Sequence, residues 1–449
     1  MNLSPFLRGT RAVCDLACTR AALLAAGLGL AASATAPAVA DTNVLLIIGD
    51  DIGVEAISTY GEGTDTANTP NLTELADQGV LFRNAYSHPT CSPTRGSILT
   101  GKHPFRTGVG YAIVNQTPAE AQLDTNETTI ADVARNEGYK TGWFGKFHLN
   151  LDEDAPNELG FDRFRGSLKS APSNYFNWTY VNNGATSTQT TYATTRNVSD
   201  ALGFINFNQD DPWFVTVAFN AAHTPLHTPP ADLATVDGTS NKDKFNAIIE
   251  AMDAEIGRLI DGLGDEADDT VIIFVGDNGT DGRWTTIPFR SNAAKQTVYE
   301  GGINVPLIIS GTGVASPGRE EADLAHVVDL FATIAEIIDG NASSGTDSVN
   351  LDNYRTSSNA PRARRRVYSE QFTRGDVTRG GNRNQRMITN GRYKLMEING
   401  VKRFYDRTSD PREWVDILGG DGFLNSDEGT PAQRRAFFNQ RRNLNQIRN

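Results

Sequence analysis

The strongest constraint on the fold is a set of continuous apolar runs, each long enough for one strand. They occupy residues 44–48, 213–219 and 271–275 and are rich in Val, Ile, Leu and Phe. A run without polar alternation is typical of a parallel strand that is buried on both faces of its sheet. Amphipathic helical stretches separate the runs, the longest at residues 245–260. Strands that alternate with helices predict an α/β fold, with a large, mostly parallel sheet sandwiched by helices.

The pattern changes after residue 340. Residues 341–366 are rich in Ser, Asn, Asp and Arg, show no hydrophobic period and predict a linker. A small antiparallel sheet is predicted from the short strand-like segments that follow, at residues 367–372, 386–389, 392–398 and 401–405. A basic, solvated surface helix is predicted at residues 431–449. We therefore expect a large α/β domain over residues 41–340, and a linker with a small C-terminal subdomain over residues 341–449.

The first part of the chain has the pattern of a secretory signal peptide over residues 1–40. Arginines precede an apolar, Ala-rich segment at residues 21–36, and a small-residue cleavage site follows at residues 38–40. The alternative is a membrane anchor, but the Ala and Gly content and Pro37 make this segment a weak membrane span. The pattern predicts a periplasmic or secreted protein that leaves the membrane once the signal is cleaved. The length of the signal and its Ala content favour a bacterial source.

The net charge limits the partners to be expected, and the cysteine content limits the disulfides. The formal net charge of −13 over 449 residues argues against nucleic acid and anionic membranes as partners. A small anionic substrate remains compatible if the site itself is locally positive. Cys14 and Cys18 lie in the predicted signal, so Cys91 is the lone thiol of the mature chain. No intrachain disulfide is therefore expected there.

Polar side chains follow two of the apolar strands at the same point. Asp50 and Asp51 come directly after the run at residues 44–48, and Asp277 and Asn278 follow the run at residues 271–275. Ligands of parallel sheets bind beyond the carboxyl ends of the strands, so we expect these side chains to converge. Three carboxylates and an amide oxygen suit Ca²⁺, and suit Mg²⁺ less well. The alternative is that each Asp only begins a turn.

Residues 91–95 read Cys-Ser-Pro-Thr-Arg, and Leu-Thr-Gly follows at residues 99–101. Pro93 suits the first turn of a helix, which places Cys91 at a helix N-terminus, where anions bind. This Cys-x-Pro-x-Arg core followed by Leu-Thr-Gly resembles the signature of type I sulfatases, members of the alkaline phosphatase superfamily. The resemblance implies that a formylglycine-generating enzyme oxidises Cys91 to formylglycine (3-oxoalanine), whose hydrate is the nucleophile. The alternative is a packed or incidentally exposed cysteine.

Further segments resemble blocks of the same family, in matching order between residues 43 and 418. They read Gly-Lys-x-His at residues 145–148, Asn-x-x-His-Thr-Pro at residues 220–225, and Lys-x-x-x-x-Glu-Gly-Gly-x-x-Val-Pro at residues 295–306. A Tyr-Asp…Asp-Pro-x-Glu segment at residues 405–413 resembles sulfatase C-termini. Two positions depart from the family's pattern: Thr94 replaces the more frequent Ser or Ala, and Asn304 stands where Arg is usual. The resemblance implies that the second departure affects packing rather than catalysis.

The resemblance implies a role for each of these side chains. The implied calcium ligands are Asp50, Asp51, Asp277, Asn278 and the modified Cys91. The implied catalytic residues are Cys91, Arg95, Lys146, His148, His223 and Lys295. In these roles Arg95 would hold the formylglycine oxygens, and Lys146 and Lys295 would bind sulfate. The remaining histidines match no catalytic block and are predicted to be structural or surface residues: His88, His103 and His326.

These roles predict hydrolysis of a sulfate monoester, from a sulfated small molecule or carbohydrate, to an alcohol and inorganic sulfate. Lys146, Lys295 and calcium would stabilise charge on the sulfuryl oxygens. His223 would protonate the departing oxygen, and His148 would accept a proton from the formylglycine hydrate. Two alternatives stay open. One is a formylglycine-dependent phosphonate or phosphodiester hydrolase, and the other is a non-catalytic protein that binds sulfated glycans with Cys91 unconverted.

Two segments between these blocks carry aromatic side chains and are predicted to overhang the site. Residues 171–180 hold Tyr175, Phe176, Trp178 and Tyr180, and residues 280–294 hold Trp284 and Phe289. Their rings would stack on a sugar or aryl group of the substrate. The alternative is that they pack the loops onto the body of the protein. His227, four residues after His223, is predicted to line the same substrate pocket.

Overall fold

The structure, a computed structural model, describes residues 42–113, 122–236, 238–342, 345–373, 384–420, 422, 424 and 428–448. The predicted signal peptide lies outside the described residues. The strands are β1 (Asn43–Gly49), β2 (Val80–Tyr86), β3 (Lys140–Lys146), β4 (Arg163–Ser167), β5 (Trp178–Asn182), β6 (Ala185–Gln189), β7 (Trp213–Ala218), β8 (Thr270–Gly276), β9 (Leu307–Gly311), β10 (Arg319–His326), β11 (Val367–Gln371), β12 (Gln385–Thr389), β13 (Tyr393–Ile398) and β14 (Val401–Asp406).

The helices are α1 (Pro70–Asp77), α2 (Cys91–Thr100), α3 (Pro104–Thr107), α4 (Ile130–Asn136), α5 (Ala155–Glu158), α6 (Ala193–Phe207), α7 (Asn241–Asp261), α8 (Glu300–Ile303), α9 (Leu330–Ile337), α10 (Asp352–Thr356) and α11 (Pro431–Gln446). The long stripe predicted at residues 245–260 is the buried face of α7. This helix begins with a capping box, in which Ser240 and Asp243 each accept a hydrogen bond from the other's backbone N–H. Among the described residues, no helix is long and apolar enough to cross a membrane.

The large sheet has the strand order β10-β2-β9-β8-β1-β7-β3-β4-β5-β6. The three apolar runs form β1, β7 and β8, and β1 lies between the other two and pairs with both in parallel. β9 runs antiparallel to β8 and β2, and β5 and β6 extend the opposite edge as antiparallel strands. The predicted α/β fold with a large, mostly parallel sheet is confirmed, and its antiparallel strands lie outside the central parallel group.

Successive side chains of a strand point to opposite faces of the sheet, so a continuous apolar run places apolar side chains on both faces. Helices cover both faces and bury these side chains. Val44, Leu46 and Ile48 of β1 pack into one core together with side chains of α2, α4 and α9. Leu45 and Ile47 pack into the other core, with side chains of α1, α6 and α7. With both faces covered, the carboxyl ends of the strands are the place where polar side chains can gather.

The small antiparallel sheet is formed by β11, β12, β13 and β14, at the positions that the sequence predicts. Helix α11 packs on it: the rings of Phe437 and Phe404 meet edge-on with centroids 5.6 Å apart, and Leu444 is buried in the same cluster. The prediction of a solvated surface helix is therefore wrong for this face, because Phe437 and Leu444 lie two turns apart on one side. Both sheets belong to one compact unit, and the domain boundary at residue 340 stays a prediction.

A buried ion-pair network joins the small sheet to α8. Lys394 Nζ on β13 lies 2.8 Å from Glu300 Oε1 and 2.7 Å from Glu413 Oε1. Arg407 lies 2.8 Å from the second oxygen of Glu300, and Asn304 lies 3.5 Å from it. Each buried carboxylate has a cationic partner, which offsets its desolvation. Asn304, at the position where the family usually has Arg, carries no charge. The guanidinium beside Glu300 is that of Arg407 instead.

His88, His103 and His326 form a buried cluster with ring centroids 4.9 to 5.6 Å apart, so a surface location is wrong for them. Each offers a ring nitrogen within 4.8 Å of the others. However, the backbone amides of Glu370 and Val328 donate to Nδ1 of His88 and of His326, which leaves the proton of each neutral ring on Nε2. A protonated Nε2 cannot ligate a metal. The cluster is therefore a packing element.

Candidate active site

The parallel pairing of β1 and β8 brings the two acidic segments together, because the last residues of these strands are register partners. The backbone N–H of Asp51 donates to Asp277 Oδ1 at 3.2 Å, and Asn278 Nδ2 donates to Asp51 Oδ1 at 2.9 Å. Asp50, Asp51, Asp277 and Asn278 are all buried. The structure thus brings the four predicted oxygen ligands together at the carboxyl edge of the sheet.

Cys91 is the first residue of α2, and its Sγ enters the same cluster. Sγ lies 3.4 Å from Asp50 Oδ1 and 3.9 Å from Asp51 Oδ1. One ligand atom from each of Asp50, Asp51, Asp277 and Cys91 lies within 4.8 Å of all the others. Thr90, the N-cap residue, makes no side-chain bond to the helix. The N–H groups at this end of α2 are thus available to an anion bound at residue 91.

The oxygen atoms of this cluster fit a hard divalent cation. Asn278 is anchored through Nδ2, which donates to Asp51 and to the Gly279 carbonyl, whereas its buried Oδ1 has no hydrogen-bond partner among the described residues. A buried carbonyl oxygen without a partner costs free energy unless a cation or a water binds it. Carboxylate and amide oxygens are the ligands of both Ca²⁺ and Mg²⁺, and the flexible coordination of Ca²⁺ suits this mixed set.

Two lysines enter the cluster from different elements. Lys146 ends β3, and its Nζ lies 2.5 Å from Asp50 Oδ2. Gly145 permits this approach, since its φ is 110° and a Cβ there would lie 2.0 Å from the Ala218 carbonyl oxygen. Lys295 forms an ion pair with Asp51. Burial alone would lower the pKa of Lys295, but the Asp51 carboxylate holds this pKa well above its ordinary value.

Arg95 lies one turn after Cys91 in α2, and its guanidinium is fully buried. Nε and Nη2 both lie 2.9 Å from Asp277 Oδ2, and Nη1 donates to the backbone carbonyl of Lys146 at 2.7 Å. The contacts present in the structure therefore fix Asp277 and the end of β3. A contact between Arg95 and the oxygens of a modified residue 91 stays a prediction.

The crowding of carboxylates is visible in the pKa values of the cluster. Burial and the neighbouring Asp50 carboxylate raise the pKa of Asp277 to about 6. Burial would also raise the pKa of Asp51, but Lys295 holds it well below its usual range. Burial, Asp277 and Asp50 together raise the pKa of the Cys91 thiol far above its usual range. The thiol is therefore protonated at neutral pH and is a weak nucleophile in this form.

His148 follows β3 and is buried. Its Nε2 lies 3.0 Å from the Ile113 carbonyl oxygen, which can only accept, so Nε2 carries the proton. The buried Nδ1 has no hydrogen-bond partner among the described residues. Burial, and then the charge of Lys146, hold the pKa of His148 well below its usual range. The ring is therefore neutral at pH 7, with a lone pair on Nδ1.

His223 lies in the loop after β7, and its tautomer is also fixed by a carbonyl. Nδ1 lies 2.8 Å from the Thr224 carbonyl oxygen, so Nδ1 donates and Nε2 holds a lone pair in the neutral ring. Burial lowers the pKa of His223 to about 4. The ring can donate a proton from Nε2 only when a nearby negative charge raises that pKa.

His227 lies in an aromatic cluster beside the loop of His223. Its ring packs on Tyr175 with centroids 4.1 Å apart, and its Nε2 lies 3.0 Å from the Tyr192 hydroxyl. Phe176 stacks on Tyr192 with centroids 5.0 Å apart. Phe176 is the most accessible member of this cluster, since it is 39% exposed, whereas His227 is half-buried and both tyrosines are buried.

The other rings predicted to overhang the site pack inward. Trp178 is 2% exposed, and its Nε1 donates to the Thr191 carbonyl. Trp284 and Phe289 are half-buried against the core that holds α1, α6 and α7. For these three rings, and for Tyr180, which is 5% exposed and donates to Asp200, the packing alternative describes what the structure shows. Phe176 is the exposed aromatic residue of residues 171–180.

Sequence reasoning missed the groups that hold the catalytic candidates in place. The Tyr175 hydroxyl contacts the loop of His223, although the sequence marked this residue only as an aromatic ring. The carbonyl of Gln296, next to Lys295, accepts from Gln371 and Gln385 of the small sheet at 2.8 and 3.1 Å. A backbone carbonyl leaves no signal in a sequence. A contact between the loop of Lys295 and the small sheet depends on the tertiary fold.

A family model described as Sulfatase matches residues 42–340. The chain belongs to the sulfatase family. Among relatives of the chain, an N-acetylgalactosamine-6-sulfatase of Sus scrofa is 31% identical over 346 residues, which cover 69% of this chain and 64% of the relative. The chain therefore spans less than two thirds of that relative's length.

Solved structures of similar fold include Ps i-CgsB, with a TM-score of 0.74 and 24% identity over 85% of this chain and 89% of that one. Ps i-CgsB has also been solved in complex with k-i-k-neocarrahexaose. BT4656, solved in complex with its substrate D-glucosamine-2-N,6-O-disulfate, has a TM-score of 0.69 and 18% identity over 91% of this chain and 96% of that one. At these identities the likeness shows the fold of this sulfatase-family chain.

Proposed function

We propose that this chain hydrolyses a sulfate monoester to an alcohol and inorganic sulfate, with residue 91 in the formylglycine form. The observation that carries the proposal is the convergence of three carboxylates, two lysines and the N-terminus of α2 on residue 91. Ammonium groups and helix N–H groups bind tetrahedral oxyanions. Membership of the sulfatase family makes a sulfate ester the oxyanion to expect.

A calcium ion and the formylglycine form of residue 91 complete the proposed site. The residues fit a calcium ion, with Asp50, Asp51, Asp277, Asn278 and the modified residue 91 as its ligands. The formylglycine hydrate would supply the nucleophilic oxygen, and the cation would supply positive charge beside it.

Lys146 and Lys295 are proposed to bind the sulfate group. Lys295 Nζ lies 3.8 Å from Cys91 Sγ, and Lys146 is paired with Asp50, which also contacts Sγ. Their charges are therefore fixed next to the position of attack, where they stabilise the oxygens as the ester bond breaks. Arg95 supports them by holding Asp277 and the carbonyl of Lys146.

The two histidines divide the proton transfers. His148 is neutral, with a buried lone pair on Nδ1, which suits the role of base for residue 91. His223 is the proposed acid for the leaving oxygen. A bound sulfate ester places negative charge near His223, and that charge favours the imidazolium form, which has a proton on Nε2.

The proposed substrate class is a sulfated small molecule or carbohydrate. Ps i-CgsB binds k-i-k-neocarrahexaose, and BT4656 binds a glucosamine disulfate. In this chain, the exposed ring of Phe176 lies in the aromatic cluster next to His223 and offers a surface for the face of a sugar. We also propose export to the periplasm or medium, from the pattern of residues 1–40, and maturation by a formylglycine-generating enzyme.

The deciding experiment is to co-express the chain with a formylglycine-generating enzyme and follow two quantities. Mass spectrometry of the peptide spanning residues 84–95 reports conversion of Cys91, and release of phenol from aryl sulfate, phosphate and phosphonate esters reports activity. We expect converted protein to prefer the sulfate ester, and the C91A variant to be inactive. A preference for phosphate or phosphonate esters would favour the rival hydrolase. Binding of a sulfated glycan without turnover, with Cys91 left unconverted despite the co-expressed enzyme, would favour the binding protein.

A further inference from the structure

The hydroxyl of Tyr175 lies at the turn that carries His223. Its oxygen is 2.7 Å from the Asn220 carbonyl oxygen and 2.7 Å from the His223 carbonyl oxygen, so one proton is shared between the two ends of this turn. Tyr175 is 1% exposed. We propose that Tyr175 is a positioning residue that orients His223 toward the leaving oxygen of the substrate. This inference rests on the proposed function.

Other bonds also tie the turn to the site, and at its start Asn220 Nδ2 donates to Ser167 Oγ at 3.3 Å. Asp50 exchanges two backbone hydrogen bonds with the turn: its N–H donates to Ala221 at 2.8 Å, and its carbonyl accepts from Ala222 at 2.6 Å. Within the turn, the N–H of His223 donates to Asn220 at 2.9 Å. These bonds fix residues 221 and 222 relative to the calcium ligands. The carbonyl of His223 itself is held by Tyr175.

Tyr175 is in turn held in one place. The ring packs on His227 with centroids 4.1 Å apart, and its backbone carbonyl accepts from the N–H of Ala193 at the start of α6. Because both the ring and the backbone of Tyr175 are held by these contacts, the position of its hydroxyl is fixed. The hydroxyl can therefore hold the backbone of His223, and with it the imidazole, more tightly than a loop alone would.

Loss of this hydroxyl has a consequence that a purely structural residue would not show. Proton donation matters most for a poor leaving group and little for a phenolate that leaves unaided. A misplaced His223 should therefore slow esters of weakly acidic phenols and spare esters of strongly acidic ones. Tyr180 offers a matched control, because it is a buried tyrosine of the same segment whose hydroxyl donates to Asp200 at 2.7 Å.

The experiment compares wild type, Y175F, H223A and Y180F, all with residue 91 converted, on aryl sulfates whose phenols span a graded range of pKa. For Y175F we expect kcat to fall by about 10-fold on the least acidic phenol and by less than about 3-fold on the most acidic, a part of the usual 10²–10⁴-fold effect of an acid catalyst. H223A should show the same trend more steeply. Y180F should follow wild type. Hydrogen exchange of residues 220–223 should quicken in Y175F but not in Y180F.

The outcomes separate this inference from the proposed function. If kcat depends steeply on the pKa of the leaving phenol in H223A, but depends on it in Y175F as it does in wild type, only the role of Tyr175 is overturned. An unchanged dependence in H223A would remove His223 as the acid, and no sulfate turnover by converted wild type would remove the proposed function. If Y175F does not fold, 3,5-difluorotyrosine at position 175 keeps the ring and alters the donor strength of the hydroxyl. A leaving-group dependence identical to that of wild type would then count against the proposal.

Discussion

Lys146 Nζ and Asp50 Oδ2 lie 2.5 Å apart in a site where neither side chain has any exposed surface. The other two carboxylates are paired one to one in the same way, Asp277 with Arg95 and Asp51 with Lys295. Three cations thus balance three carboxylates. A divalent cation bound to those carboxylates would make the site positive, which would let a chain of net charge −13 hold the proposed substrate, an anionic sulfate ester.

Replacing Lys146 tests that balance. K146M removes the ammonium group and leaves Asp50 buried without its cation. We expect kcat/KM on an aryl sulfate to fall by about 10²–10³-fold, the usual loss for one charge-stabilising group. Without added calcium, the free energy of unfolding should fall by about 3–5 kcal/mol, because a buried charge is left unpaired. Steady-state kinetics and urea denaturation measure the two effects.

The double variant D50N/K146M separates the two effects. Removing both charges should restore most of the unfolding free energy, since no buried charge lacks a partner, while activity stays lost. Unchanged kcat/KM in K146M would show that Lys146 has no part in binding the sulfate group.

Calcium binding is predicted at one ion per chain. Elemental analysis of the purified protein should find one equivalent of divalent cation, and Tm should rise with calcium concentration because the ion binds the folded state. D51N and N278L should lose both effects. D281N is the matched control, since Asp281 follows β8, as Asn278 does, but pairs with Arg283 at the surface. Active protein without any divalent cation, or a Tm that ignores calcium in wild type, would contradict the site.

The residues predicted from the sequence are those whose placement follows from local pattern. Asp50 and Asp277 follow continuous apolar strands, and parallel strands bring their carboxyl ends to one edge. The partner of Arg95 could not be read in the same way, because its Nε reaches Asp277 across 182 positions of the chain. The cluster of His88, His103 and His326 has the same origin, since the residues on either side of α2 and the end of β10 meet only in the folded protein.

Residue 91 itself gives a sharp test. C91A removes the atom from which formylglycine is made, and C91S provides a hydroxyl that can attack once but lacks the second oxygen of an aldehyde hydrate. Both variants should lose at least about 10³-fold in kcat, because removal of a nucleophile typically costs that much or more. Measured calcium affinity should stay close to that of wild type in C91S. Multiple turnovers by C91A would show that residue 91 is not the nucleophile.

Acid should destabilise the fold through the buried histidine cluster. Burial is the main cause that holds the pKa of His88, of His103 and of His326 well below the usual range. The unfolded chain takes up these protons near pH 6.5 and the folded chain does not. The free energy of unfolding therefore falls as pH drops below that value, by about 1.4 kcal/mol per pH unit for each histidine.

H326N tests the cluster, because the Asn oxygen can still accept from the Val328 N–H that now bonds Nδ1. Its unfolding free energy, measured with urea between pH 7 and pH 5, should decline less steeply than that of wild type. Parallel declines in the two proteins would mean that His326 does not take part in the acid response.

Phe176 and Trp178 give the last prediction, because they lie two residues apart and differ in exposure, 39% against 2%. If the exposed ring of Phe176 stacks on a sugar, F176A should raise KM for a sulfated oligosaccharide by about 5- to 150-fold, the equivalent of about 1–3 kcal/mol for one stacked ring. KM for a small aryl sulfate should hardly change, because such a substrate does not extend to residue 176. W178A is the matched control and should lower Tm while affecting both substrates alike, since the indole packs inward and donates to Thr191. Equal losses on both substrates in F176A would show that Phe176 supports the loop instead of the substrate.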